Sequence, residues 1–408
     1  MKHRPERVCP PSVLTARDEC RAAGTRVLDG RRGPTPGDAM KMIAGYPALM
    51  GISRMADITG LDRLGIPVIQ AVRPLALSNT VSQGKGCDHE SAALSAILES
   101  AETFLAEQVS NFDAFPATAD ELGIADHSFK KHLLPYVSPE WRQTKLPWVR
   151  ASDLIADEPG WLPLELVHTA FVHPPLASDG IFCGSTTGLA VALDESDAIL
   201  HGIFECIERD AIARAHRIHG FFQRFRIDVG TIDDPGTTDL IDDIRRRGLE
   251  VGLWIIEGAG GVPAIWCQLM EDGTQPLITP YPADGFAASL DPCSAVQQAV
   301  REAAQSRLAA ISGARDDITR ANYPRYTDWQ RIESHRHLLA NGPRSVDFGQ
   351  LCESTLPSPT DWFGTVLHRL SGGGVSSALI VNIDTRPLNK LYGVRVVLPQ
   401  LEPFAEEQ

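Results

Sequence analysis

The sequence predicts an α/β fold of the mixed (α+β) kind, on three observations. Apolar residues recur at helical spacing in three long segments, β-type runs lie between them, and glycine or proline marks most of the joints. No stretch between elements has the composition of a disordered linker, so one domain over residues 46–408 is favoured over two independent ones. Residues 1–45 form a polar lead-in, with turns at Gly33-Pro34 and Pro36-Gly37.

Taken in order, residues 51–74 predict short strands separated by turns at Gly60 and at Gly65-Ile66-Pro67. GKGCDHE (84–90) then leads into a long helix ending near Val109. Asp88 is its N-cap, because a carboxylate there accepts from the free amides of the first turn. Residues 112–180, rich in proline and aromatics, are expected to wrap the core with short elements. A second turn, CGSTTGLA (183–190), precedes a helix from about Asp194 to His219, where Asp194 and Asp197 approximate a capping box. Residues 249–270 predict two β-runs joined by a glycine-rich hairpin loop. A third helix follows at about 293–312, with late strands at 375–385 and 392–399.

Composition narrows the class of function. The 408 residues are 43% hydrophobic and 22% charged, as in a soluble globular protein. A net charge of −14 repels a phosphate backbone at long range and argues against nucleic acid as a general partner. The start lacks the apolar run of a signal peptide, and no apolar segment is long enough to span a bilayer. A cytoplasmic protein with no membrane partner is expected. The eight cysteines never form C-x-x-C, which disfavours a disulfide framework or structural zinc.

Candidate chemistry lies on two helices. Ser95, Glu99 and Glu102 follow offsets of four and three and share one stripe, opposite Leu94, Ile97, Leu98 and Leu105. An amphipathic helix with acids on its wet face shows the same pattern. On the second helix, Asp197, His201, Glu205 and Glu208 form another stripe, and Glu205 and Glu208 repeat the E-x-x-E spacing of Glu99 and Glu102. Like charges so spaced repel unless a cation offsets them. Converging carboxylates suit Mg2+, which takes oxygen ligands and keeps phosphate oxygens in its shell. Arg209 can neutralise phosphate. Spacing alone leaves solvated surface as an equal reading.

Other motifs are weaker. Ser371-Gly372-Gly373-Gly374 lacks a following Gly-Lys-Ser/Thr, so it predicts a flexible loop rather than a P-loop. His335 and His337 have no further matching ligands and read as a surface helix. His201 reads as a helix histidine paired to a carboxylate.

GKG…SAILESAE (84–102) and TTGLA…SDAILHGIFECIERDA (186–211) resemble the two ATP-binding signatures of the YcaO family, the second more specifically. Residues 51–68, 299–317 and 383–404 resemble further YcaO segments in the family's order, so the likeness spans roughly 45–404. It implies a YcaO-like fold in which paired acidic helices pack on β-sheet, with ATP and Mg2+ as cofactors. Glu99, Glu102, Asp197 and Glu208 are then the implied metal ligands. Ser95, Glu205 and Arg209 are expected to line the nucleotide, with Arg209 and Glu205 catalytic. Lys85, Gln305 and Arg307 fall in matching segments near it.

Two departures stand out. Leu193 occupies a position where the family commonly has Asn, and Asp197 replaces a Glu, so one contact there is longer, water-mediated or missing. The chain ends LEPFAEEQ, without the proline-rich tail of many azoline-forming relatives.

The resemblance implies ATP-driven phosphorylation of a peptide-backbone amide oxygen, after a nucleophile adds to the carbonyl. Sulfide gives a thioamide, a Cys, Ser or Thr side chain an azoline, and an amine an amidine. Thioamidation is placed first, because no leader-binding domain or proline-rich tail is seen and residues 51–68 are similar to YcaO proteins that work with TfuA. The alternatives are a cyclodehydratase with a separate leader-binding partner, and a non-catalytic ATP-binding subunit. Implied partners are a precursor peptide or protein substrate, a TfuA-like or leader-binding protein, and a second copy of the chain, since homodimers are common in the family.

Overall fold

The computed structural model describes residues 34–403, except 126, 276, 280, 315–327, 345, 352–357 and 359–360. Most of the lead-in, 1–33, lies outside these. Its described part forms helix α1 (Pro36–Met42), started by Thr35, whose side chain accepts from the Asp38 amide, with proline in the first turn. Ile43, Tyr46 and Met50 follow it into a cluster shared with Ile97, Leu105 and Leu189.

Strands β1 (Arg54–Asp57), β2 (Val68–Val72) and β3 (Val81–Lys85) make an antiparallel sheet in that order. Helix α2 (His89–Ala106) packs on β2 and β3. Asp88 caps it as expected, its Oδ1 accepting the Ser91 amide at 2.7 Å. The strand lies flush on the helix only because residue 84 is glycine. A Cβ there would stand 2.1 Å from the Ala92 carbonyl oxygen and the Ala96 amide.

Residues 112–180 are more regular than expected. They supply β4 (Ala114–Ala117), β5 (Leu146–Asp153) and β6 (Glu158–Pro163) to the largest sheet. Apolar residues alternate inward, so Trp148 packs with Phe129, Leu162 and Phe182 in a separate cluster. Strand β7 (Leu189–Ala192) leads into helix α3 (Glu195–Ala215), capped by Asp194 through the Ser196 and Asp197 amides. After helix α4 (Pro235–Arg246), the hairpin β8 (Leu249–Glu257) and β9 (Pro263–Glu271) forms with β10 (Ala283–Ala288) a second three-stranded antiparallel sheet. Helix α5 (Pro292–Ser312) covers it. A meander followed by a covering helix thus occurs twice.

Helix α6 (Trp329–Asn341) carries His335, which is half-buried with Nε2 2.9 Å from Gln268 Oε1, while His337 is exposed. The surface-helix reading therefore holds for His337 only. Helix α7 (Trp362–Gly372) takes in Ser371 and Gly372, and Gly373 caps it by donating to the Arg369 and Leu370 carbonyls. The glycine run is a helix end rather than a loop. Strands β11 (Leu379–Ile383) and β12 (Tyr392–Val397) complete the large sheet, ordered β4-β5-β11-β12-β7 with β6 on β5. Helix α3 packs between this sheet and the β8–β10 sheet, which explains why Ile199, Ile203 and Ile207 are all buried.

Candidate active site

Three helices bring carboxylates together, and strand β3 adds Lys85. On α2, Glu102 accepts the Val191 amide at 3.2 Å through Oε1. Its carboxyl is raised well above the ordinary value, first by burial and then by the charges of Glu99 and Glu205. Repulsion from Glu205 places the acidic stripes of α2 and α3 face to face. Glu205 Oε2 accepts the Gly188 amide at 3.0 Å, and Oε1 stands 3.6 Å from Arg209 Nη2. Gly188 has φ +78°, and a Cβ there would lie 2.1 Å from the Val396 carbonyl oxygen, so this turn admits only glycine.

Glu208 is 8% exposed. Its carboxyl is pushed up to about 8, chiefly by burial, with Glu302 and Glu205 adding to the rise and Arg209 and Lys85 opposing it. Arg209 Nε lies 3.6 Å from Glu208 Oε1. From α5, Glu302 meets Lys85 Nζ at 2.5 Å. Burial pushes the Glu302 carboxyl up, but Lys85 and Arg209 outweigh it and the net shift is downward. Gln305, one turn on, donates to the Gln83 carbonyl at 2.7 Å.

Glu99, Glu102, Glu205, Glu208, Lys85 and Arg209 are therefore assembled as one charged cluster, with Gln305 at its β3 wall. Ser95 is half-buried one turn before Glu99 on the same helix. Asp197 stands apart: it is exposed, and its carboxyl is raised by partial loss of hydration and then by Asp194, not by the central glutamates. Leu193 is half-buried against the α1–α2 apolar cluster, which is why an apolar residue suits that position. His201 is exposed.

Arg307 is tied elsewhere. It is 0% exposed and forks onto Asp62 at 2.7 and 3.2 Å while also bonding Glu271. Its expected place beside the nucleotide gives way to a buried structural role, because these acids take its guanidinium donors.

Two residues of the cluster escaped the sequence reading. Glu302 stands three residues before Gln305 on one stripe of α5, a spacing that could have exposed it. Gln83 lies two residues before Lys85 on the same face of β3. It is 2% exposed, and neither amide atom has a protein partner.

The donor set fits a hard divalent cation: every ligating group is a carboxylate oxygen, and the acids outnumber the bases. Among the described residues no three carboxylates, imidazoles or thiols already stand at cation-holding distance. The orphaned Gln83 amide offers a donor and an acceptor at the same wall.

Comparison with known proteins gives the family and the fold. A family model described as YcaO cyclodehydratase, ATP- and Mg2+-binding, matches residues 83–402. A Rhizobium leguminosarum bv. trifolii protein, described as uncharacterized and in the tfuA 3' region, is 30% identical over 91% of this chain and 88% of its own length. The fold matches that of YcaO from Methanopyrus kandleri bound with AMPPCP and Mg2+ (TM-score 0.68, 22% identity, 91% of this chain and 92% of that one). It also matches a heterocyclase in complex with substrate and cofactor (TM-score 0.69, 21% identity, 93% of this chain), of which it spans 54%. With the sequence signatures, the paired acidic helices and the family match coinciding over the same residues, this chain belongs to the YcaO family.

Proposed function

We propose that this chain uses ATP and Mg2+ to activate a peptide-backbone amide, and that thioamide formation is its reaction. The excess of buried carboxylate around Glu102 and Glu208 carries the reading, because the cluster costs free energy until a cation arrives. Glu99, Glu102 and Glu208 would hold Mg2+, and Asp197 would act only as an outlying carboxylate. When bound, Mg2+ offsets charge on the ATP phosphates. Arg209 neutralises charge on the transferring phosphoryl group, and Glu205 fixes the Gly188 turn beside it. Ser95, Gln83 and Gln305 line the nucleotide, and the Lys85–Glu302 pair extends the wall that Gln83 and Gln305 form.

In the proposed reaction, hydrosulfide adds to the amide carbon and the carbonyl oxygen leaves as phosphate. Amide, hydrosulfide and ATP thus give thioamide, ADP and hydrogen phosphate. The tfuA-region relative supports a TfuA-like partner.

The test supplies protein, candidate precursor peptides, ATP, Mg2+ and sodium hydrosulfide, and weighs the product. Exchange of one oxygen for sulfur is expected. Loss of one water instead assigns azoline formation with a leader-binding partner. Nucleotide binding without peptide-stimulated ADP release assigns the accessory role.

A further inference from the structure

Beside Glu205 lies a cavity of about 20 Å³ whose polar wall is His132, Ser185, Thr187, Cys206, Arg395 and Glu402. That is room for one water-sized group. Arg395 Nη1 and His132 Nε2 have no protein partner there, on residues 1% and 8% exposed. Arg395 donates its other bonds to neutral acceptors, the Leu166 carbonyl at 2.7 Å and the Ser185 carbonyl. Burial lowers the guanidinium to about 10, which leaves it charged at neutral pH.

The counter-charge is missing from the wall. Glu402 is taken by Arg217 and by Lys131 at 3.5 Å. Glu205 acts on Arg395 only through its field. A buried cation bonded to no anion is costly, and an entering anion relieves that cost. His132 is neutral: burial, then Arg395 and Lys131, lower it to about 4 against a bond to the Leu398 carbonyl. Since Nε2 lacks a partner, that bond belongs to Nδ1–H, and Nε2 is a free acceptor.

The cavity therefore offers one cationic donor and one neutral acceptor to a small ligand. A halide has no hydrogen to donate to His132, and water brings no charge to Arg395, whereas hydrosulfide brings both. We propose that this cavity binds hydrosulfide between Arg395 and His132, beside the turn held by Glu205. Its meaning as a nucleophile store rests on the thioamide reading above.

Calorimetric titration of sodium hydrosulfide into the full chain, at a pH where the monoanion dominates, tests it. One saturable site is expected, about tenfold weaker in Arg395→Gln and more modestly weakened in His132→Leu. Inorganic phosphate is titrated as the rival anion, and its displacing hydrosulfide at the same site overturns the assignment; thermal melts identify any variant that fails to fold. Absence of saturation in the wild type, or unchanged binding in both folded variants, overturns the site. A thioamide product whose sulfide dependence is unaltered in Arg395→Gln overturns the site and leaves the reaction standing. Hydrosulfide binding with only a dehydrated product leaves the site standing and overturns the reaction.

Discussion

Two buried charge clusters sit on the same helix, α5, and are built to opposite ends. Around Arg307, acids and bases are matched, since Arg63 Nη2 also stands 3.9 Å from Glu271 Oε1. Asp62 takes two guanidinium bonds and Glu271 a third, and Glu271 further accepts the Ile278 and Thr279 amides. One turn and a half away, Glu302 looks into a cluster where Arg209 and Lys85 offset glutamates from α2, α3 and α5. The first arrangement is closed by its own counter-ions and suits a scaffold. The second keeps two carboxyls, Glu102 and Glu208, raised by burial and by neighbouring glutamates, a strain that folding alone would not select and that a bound cation relieves.

This contrast can be broken by mutation. The largest effect on stability is expected at the matched cluster. Asp62→Ala leaves Arg307 buried with a bond partner lost and should cost about 3–5 kcal/mol in urea unfolding, with nucleotide affinity of the folded fraction unchanged. Glu208→Gln and Glu102→Gln should do the reverse. Turnover, read as ADP release, should fall about 100-fold or more, while melting temperature stays level or rises. If Glu208→Gln instead destabilises as Asp62→Ala does, the two clusters are alike and the site assignment is wrong.

Acidity gives a third way to separate them. Glu208 keeps its proton up to about pH 8 when folded and only to about 4.5 when unfolded. Its contribution to stability is therefore full below pH 4.5 and is lost as pH rises through 8. The melting temperature without nucleotide should fall between pH 6 and 8.5 on the order of a few degrees, and Glu208→Gln should flatten that slope. The smallest effects belong to the periphery. Asp197→Glu should change Mg2+-dependent ATP affinity by less than about threefold, whereas Leu193→Asn should mainly lower stability, by about 1 kcal/mol.

Much of the fold was legible because capping and periodicity are local. Asp88 and Asp194 begin their helices where the sequence predicts, and the 249–270 hairpin follows from its β-runs and glycine loop. The sheet role of β4–β6 was not legible, because proline and aromatic content hides these strands and their one link to the rest of the sheet, β5 to β11, spans more than two hundred residues. At the site, helical stripes exposed Glu99, Glu102, Glu205 and Glu208. Glu302 and Gln83 join only through tertiary contact, one on a helix that looks ordinary in isolation and the other on a short strand. Arg307 misled for the same reason: its motif neighbours reach the cluster, but its own side chain turns to Asp62, a residue far away in sequence.

The most direct test is proton release on nucleotide binding. ATP is titrated into the full chain near pH 7, with and without Mg2+, in buffers of different ionisation heat. Filling the cluster with a cation must expel protons from the raised carboxyls. Mg2+-dependent binding with release on the order of one proton is therefore expected, reduced in both Glu102→Gln and Glu208→Gln. Binding that ignores Mg2+, or that releases the same protons from wild type and both variants, would contradict the assignment of this acidic cluster as the metal–nucleotide site.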